Sequence, residues 1–201
     1  MTITTVEQLS ALYGVARETS LAKEIPQLNE DYAALIKASP FIVLATVGPD
    51  STDCSPKGDA PGFVQIIDDK TLAIPDRPGN NRIDNLKNIL IDGRVSILFM
   101  VPGVGETLRV NGRASITVEP KMLERFPVDG KLPRTVILVS IDSVYFHCSK
   151  AIVRSQLWDP SLHVECSTLP SPGRMLKNIL NGFDGEAYDR ALPERVKATL
   201  Y

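Results

Sequence analysis

The stretch that most narrows the possible folds is Glu106 to Val118. Leu108, Val110, Ala114, Ile116 and Val118 fall on one side, and Thr107, Arg109, Asn111, Arg113, Ser115 and Thr117 on the other. A period of two sends successive side chains to opposite faces of a sheet, so this is a long strand with one buried face. Such a strand needs partners, and the chain offers them. Phe41 to Val47 is an apolar run rich in branched side chains, closed by Gly48-Pro49-Asp50-Ser51. Phe63 to Ile67 and Thr71 to Pro75 flank the tight turn Asp68-Asp69-Lys70, Val95 to Val101 runs into Pro102-Gly103-Val104-Gly105, and Thr135 to Phe146 supplies another long strand. Antiparallel strands with short turns and a single intervening helix, between Asn81 and Ile91, predict a mainly β protein closed or nearly closed into a barrel.

Helices flank this region. Val6 to Glu18 carries Leu9, Leu12, Tyr13 and Ala16 at helical spacing, and Gln27 to Ala38 carries Leu28, Tyr32, Leu35 and Ile36, with Pro26 as a start signal and Pro40 as the stop. Arg174 to Leu180 and Glu186 to Leu200 read as two further helices forming a cap or dimer arm. The expected organisation is a helical segment over 1–40, a barrel over 41–160 and a helical extension over 161–201.

A length of 201 residues, 43% hydrophobic and 23% charged, suits one globular domain with additions. The net charge of -2 argues against a nucleic-acid partner. Cys54, Cys148 and Cys166 are odd in number and widely spaced, which fits a reducing compartment. The first fourteen residues lack the basic-then-apolar order of a secretory signal, and the apolar run Val95 to Pro102 is too short to cross a membrane as a helix. A cytoplasmic protein is expected.

The most informative loop is Ile74 to Leu86, a strand end followed by Pro/Gly/Asn-rich chain and a helix start. Asn80 or Asn81 is a natural cap, with Ile83, Leu86 and Leu90 as the apolar stripe behind it. A first helical turn offers unpaired N–H groups and partial positive charge, a seat for phosphate. Arg82 opposes that dipole, and either a bound anion or pairing with Asp84 or Asp76 accounts for it. Three further polar segments are candidates beside their ordinary readings. Asp53 to Gly62 is a Gly/Pro-rich ligand loop or plain surface. Arg109, Asn111 and Arg113 either track an anion or face solvent. Lys150 and Arg154, four apart, share a helix face. His163-x-x-Cys166 has workable zinc spacing, but adjacent His147 and Cys148 point to opposite faces of a continuing strand, so no metal is expected. Gly103-Val104-Gly105 precedes a strand rather than opening a helix and is no dinucleotide fingerprint.

Taken in order, the segments SPKGDAPGFV (55–64), IPDRPGNNRIDNLKNIL (74–90), FMVPGVGETLRVNGRA (99–114) and FHCSKAIVRSQLWDP (146–160) resemble the FMN-binding split-barrel group that includes pyridoxamine 5'-phosphate oxidase. The likeness covers about Phe41 to Pro160 and is greatest to a subgroup of FMN-dependent enzymes. It implies a six-stranded antiparallel split β-barrel, a two-fold homodimer, and one FMN in each of two clefts at the interface. It implies flavin contacts at Ser55, Pro56, Lys57 and Gly58 and at Pro75 and Asp76, and phosphate contacts at Asn80, Asn81 and Arg82. Arg109 lies in the matching strand motif, and Lys150, Arg154, Ser155 and Trp158 match later cofactor and dimer contacts. The implied activity is an FMN-dependent oxidoreductase acting on a small molecule. The same fold also serves non-catalytic flavin or haem binders and F420-dependent reductases. TDCSPKGD stands where the oxidase proper has an Arg-led apolar motif ending in Lys, and a helical tail replaces its substrate-binding Arg/His segment. Both departures argue against pyridoxamine phosphate as the substrate.

Overall fold

The computed structural model describes residues 2–201. Three short helices come first, α1 (Val6–Tyr13), α2 (Glu18–Ala22) and α3 (Glu30–Ala38). Seven strands follow, with helices between some of them: β1 (Phe41–Val47), β2 (Thr52–Gly58), β3 (Gln65–Asp68), β4 (Thr71–Asp76), α4 (Asp84–Ile91), β5 (Arg94–Met100), β6 (Thr107–Thr117), α5 (Pro120–Leu123) and β7 (Thr135–His147). The chain ends in α6 (Lys150–Ser155), two single 3-10 turns, α7 (Pro172–Ile179) and α8 (Gly185–Ala198). No helix among the described residues is long and apolar enough to cross a membrane.

All seven strands form one antiparallel sheet in the order β2-β1-β5-β6-β7-β4-β3. The sheet curls so that Ile42, Leu44, Ile97, Phe99, Leu108, Val110, Ile74, Ile137 and Val144 meet in a single core, with Ile36 and Tyr32 of α3 and Ile89 of α4 packed into it. Burying a side chain of this size contributes about 1.5–3 kcal/mol, so this inner face dominates stability. The alternation of β6 holds, with Leu108 and Val110 inside and Arg109 and Asn111 outside. Between Asn111 and Gly112 the register with β7 slips by one residue. At that bulge Gly112 presses against the Ser140 carbonyl so closely that no Cβ fits.

Seven strands replace the six expected. The additional one is β2, which residue chemistry alone reads as a polar loop. It pairs only with β1, from Phe41 opposite Gly58 to Val47 opposite Thr52, and so forms an edge. An edge strand needs neither an apolar run nor every backbone N–H, which is why Pro56 sits in it. The first helix is shorter than expected. Gly14, at φ 69°, ends it, and neither Leu9 nor Leu12 is buried. The helix expected from Gln27 begins at Glu30, where the Asn29 side chain accepts from the Tyr32 backbone N–H at 2.8 Å.

β2 and β4 do not pair through their backbones, and this is where the barrel is split. Two ion pairs span the gap. Lys57 Nζ lies 2.6 Å from Asp76, and Arg77 Nε lies 2.9 Å from Asp59. Consecutive residues leaving β4 therefore grip alternate residues leaving β2.

Candidate functional site

Beside the split lies a cavity of about 830 Å³, bounded by β2, the end of β4, the loop into α4 and the start of β7. That volume is within the roughly 300–1,000 Å³ typical of small-molecule sites. The strand period explains β2's part in it. Asp53, Ser55 and Lys57 stand opposite Thr46, Leu44 and Ile42, on the core-facing side of the sheet, and line the cavity where the apolar core stops. The Ser55 hydroxyl donates to Asp53 at 2.7 Å.

The wall is rich in charge, and most of that charge is paired. Asp76 holds Lys57, and both side chains are largely buried. Asp59 accepts from the Ala60 N–H at 2.8 Å, the Arg77 guanidinium at 2.9 Å and the Tyr201 hydroxyl at 2.8 Å. Burial pushes the Asp59 carboxyl up, but those donors and the Arg77 charge together outweigh it, and the group titrates below its ordinary value. Arg77 also donates to the Phe126 carbonyl at 2.9 Å and lies over the Tyr201 ring.

The loop into α4 differs from the sequence expectation. Neither Asn80 nor Asn81 caps the helix. Ile83 occupies the cap position at φ 51°, without a side-chain cap, and Asp84 stands in the first turn. Asn80 instead accepts from the Arg82 backbone N–H at 3.0 Å, and Asn81, at φ 58°, accepts from the Arg134 guanidinium at 3.2 Å. A left-handed β-branched residue is strained, and strain of this kind clusters at ligand sites. The buried face of α4 is Asn85 and Ile89, with Leu86 partly covered. Ile83 and Leu90 are exposed, so the expected stripe is displaced. Arg82 is 76% exposed and lies 2.7 Å from Asp84. That hydrogen bond, followed by the charges of Arg82 and Lys87, lowers the Asp84 carboxyl despite some desolvation.

The cavity brings together Ser55, Pro56, Lys57, Gly58, Pro75, Asp76, Asn80, Asn81 and Arg82. Asp53 and Arg77 also line it, as do Arg134 and Thr135, which residue reasoning did not single out as site residues. Asp53 and Arg77 lie within the candidate segments 53–62 and 74–86. Arg134 and Thr135 sit before and at the start of a strand in no motif, and only the fold brings them here. The Thr135 hydroxyl is buried and has no hydrogen-bond partner among the described residues.

Arg109, Lys150, Arg154, Ser155 and Trp158 do not line this cavity. Arg109 stands opposite Tyr145 on the outer face of the sheet, and its guanidinium donates to the Tyr145 hydroxyl at 3.0 Å. The His147 ring tilts against Tyr145, and its Nε2 is buried without a hydrogen-bond partner among the described residues. Burial, then the charges of Arg109 and Lys23, lower the His147 pKa. Asn111 is held between Ser96 and Ser143, whereas Arg113 is exposed. Lys150, Arg154 and Ser155 are exposed on α6, and the Trp158 indole N–H fastens the segment that follows to the Val104 carbonyl at 2.8 Å. Among the described residues, no group of three or more His, Cys, Asp or Glu is arranged to hold a metal ion.

Residues 28–148, more than half of the chain, match the model of the family described as pyridoxamine 5'-phosphate oxidase. No curated protein matches the sequence. Among solved structures, HupZ of Group A Streptococcus is similar, with a TM-score of 0.48 and 21% identity over 58% of this chain and 91% of that one. General stress protein 26 of Bacillus anthracis str. Sterne gives 0.43 and 19% over 58% and 91%. The FAD binding protein of Mycobacterium smegmatis gives 0.43 and 14% over 61% and 97%.

Proposed function

The chain belongs to the pyridoxamine 5'-phosphate oxidase family, and from that premise we propose that it is an FMN-dependent oxidoreductase acting on a small molecule in the cytoplasm. The observation that carries this reading is the cavity at the split. It has the volume for a phosphorylated ring cofactor and gathers on one wall the β2, β4 and loop residues that the sequence resemblance ties to FMN. The donor set suits the ligand. The Arg134 guanidinium, bonded to the neutral Asn81 amide, and the Thr135 hydroxyl, without a partner among the described residues, lie at the loop end, where a phosphate would find positive charge and hydrogen bonds.

In this reading the loop that carries Asn80, Asn81 and Arg82 borders the phosphate end, and Ser55 to Gly58 with Pro75 and Asp76 border the ring. The Lys57–Asp76 pair fixes the width of the gap that the ring would enter. A bound flavin supplies the redox chemistry, and the protein supplies binding, orientation and the exclusion of water. No side chain of the cavity is assigned as an acid or base.

We further propose a homodimer. Its support is the outer sheet face around Val43, Leu98, Met100 and Tyr145, which this chain leaves only partly covered. Arg109, Lys150, Arg154, Ser155 and Trp158 take part in cofactor binding only if a second copy brings them to the cavity. Light scattering on the flavin-loaded protein tests this, and a monomer carrying a full complement of flavin refutes it.

The deciding experiment for the cofactor is to denature the purified protein and weigh what is released. FMN is the expected product. Haem, the deazaflavin F420, or a colourless protein that takes up no added FMN would overturn the assignment. Reduction of the bound flavin by NADH or NADPH separates a reductase from a binding protein.

A further inference from the structure

We propose that Arg134, rather than Arg82, is the cation that meets the ligand's phosphate. The inference rests on the cavity being the seat of a phosphorylated ligand, and it reassigns the charge within that seat.

Four cations line the cavity, Lys57, Arg77, Arg82 and Arg134. Three of them are held by carboxylates, at 2.6 Å from Asp76, 2.9 Å from Asp59 and 2.7 Å from Asp84. Arg134 is the lining cation with no carboxylate partner among the described residues. Its one side-chain hydrogen bond runs from Nη1 to the neutral amide oxygen of Asn81 at 3.2 Å. A guanidinium carries five N–H donors, so most of them remain free.

The two arginines also differ in how they are mounted. Arg82 sits in the loop with its side chain 76% exposed, and its charge is already neutralised by Asp84 two residues on. An anion arriving at Arg82 meets that carboxylate as well, and must compete with it. Arg134 lies between buried Pro133 and Thr135, the first residue of β7, which pairs with Asp76 at the end of β4. Its base is therefore set by the sheet. Across the loop, left-handed Asn81 holds its head in place, so the fork is oriented before a ligand arrives. The orphaned Thr135 hydroxyl adjoins it in the same wall and would gain a partner from a phosphoryl oxygen reaching that far. A planar, always-charged fork is the group best suited to phosphate, and Arg134 is the lining fork without a carboxylate among the described residues.

The test uses the full chain stripped of bound chromophore. FMN and riboflavin, which lacks the phosphate, are titrated by fluorescence into the wild type, Arg134→Ala, Arg134→Lys and Arg82→Ala. Loss of a charge-assisted contact to phosphate weakens FMN binding by about ten- to a hundredfold. Arg134→Ala is expected to show that loss with riboflavin affinity unchanged, so that the preference for FMN over riboflavin collapses. Arg134→Lys keeps the charge without the fork and should fall between, while Arg82→Ala stays within about threefold of the wild type. Arg134 is exposed, so these variants should melt with the wild type. Retention of the wild-type FMN-to-riboflavin ratio by Arg134→Ala, or its loss in Arg82→Ala alone, overturns the proposal. Inorganic phosphate separates this inference from the flavin reading. If neither flavin binds but phosphate raises the melting temperature of the wild type and not of Arg134→Ala, FMN is the wrong ligand and Arg134 still the anion's contact. If phosphate acts equally on both proteins, the assignment of Arg134 falls too.

Discussion

The ion pairs across the split make a quantitative claim that Asp59→Ala can test. The Asp59 side chain is 4% exposed and that of Arg77 15%. In the variant, Arg77 keeps the Phe126 carbonyl and loses the Asp59 carboxylate, while the Ala60 N–H and the Tyr201 hydroxyl lose an acceptor. Breaking a pair this well buried costs about 3 kcal/mol, the lower end of the range for buried pairs because Arg77 retains some access to water. For a chain of this size that corresponds to a fall in melting temperature of roughly 6–12 °C. The assay is thermal and urea unfolding of both proteins from pH 7 downwards. The folded Asp59 carboxyl titrates below its ordinary value of 3.8. A depressed carboxyl contributes stability that is fully present above the unfolded value and is lost as pH falls through the folded one. The gap between wild type and variant must therefore hold steady down to about pH 4 and close below it. A loss under about 1 kcal/mol at pH 7 would show that the pair behaves as a solvent-exposed one. A gap that persists unchanged to pH 2 would show that the Asp59 charge is not what holds Arg77.

Three further outcomes follow from particular contacts. Gly112→Ala drives a Cβ into the Ser140 carbonyl at the β6–β7 bulge and should cost about 3 kcal/mol in urea unfolding, since backbone on both sides resists the shift. Gly173→Ala places a Cβ against the Gly185 carbonyl and the Asp189 carboxylate where α7 and α8 touch. It should speed amide exchange in those two helices while the main unfolding transition of the sheet stays put. His147, its pKa lowered by burial first and by Arg109 and Lys23 next, takes up a proton less readily folded than unfolded. Stability should therefore drop as pH falls through 6.5, the ordinary histidine value, and His147→Gln should remove that part of the slope.

Much of the fold can be read along the chain because its core strands are self-announcing. The alternation of β6 states which of its faces is buried, and the apolar runs of β1, β5 and β7 mark strands without stating a face; in the structure the inner faces of all four meet in one core. β2 could not be read in this way. Its inward residues are Asp53, Ser55 and Lys57, polar because they face a cavity rather than the core, and only its register with β1 makes it a strand. The α4 start was misread for a related reason. Asn80 and Asn81 are good caps by composition, yet the loop spends both on other contacts, one accepting from Arg82 and the other from Arg134. The helix then begins later, behind a left-handed Ile83 that no propensity would favour.

The site was legible to the extent that its parts are contiguous. Ser55 to Gly58 and Asn80 to Arg82 each occupy one short stretch, and each reaches the cavity. Pairing between charges follows a different rule. Lys57 and Asp76 are 19 residues apart, and Arg134 and Asn81 are 53 apart. These contacts exist because the sheet order sets β4 beside β7 and curls β2 back towards β4. A string of residues displays every arginine alike, and Arg82 stands out because it lies in a Gly-Asn-Asn loop. Folding reverses that order. The conspicuous arginine is bound to its neighbour Asp84, and the inconspicuous one arrives from the start of β7, 53 residues beyond Asn81, with no carboxylate beside it among the described residues. For binding an anion, the useful arginine is the one whose carboxylate the fold has not supplied.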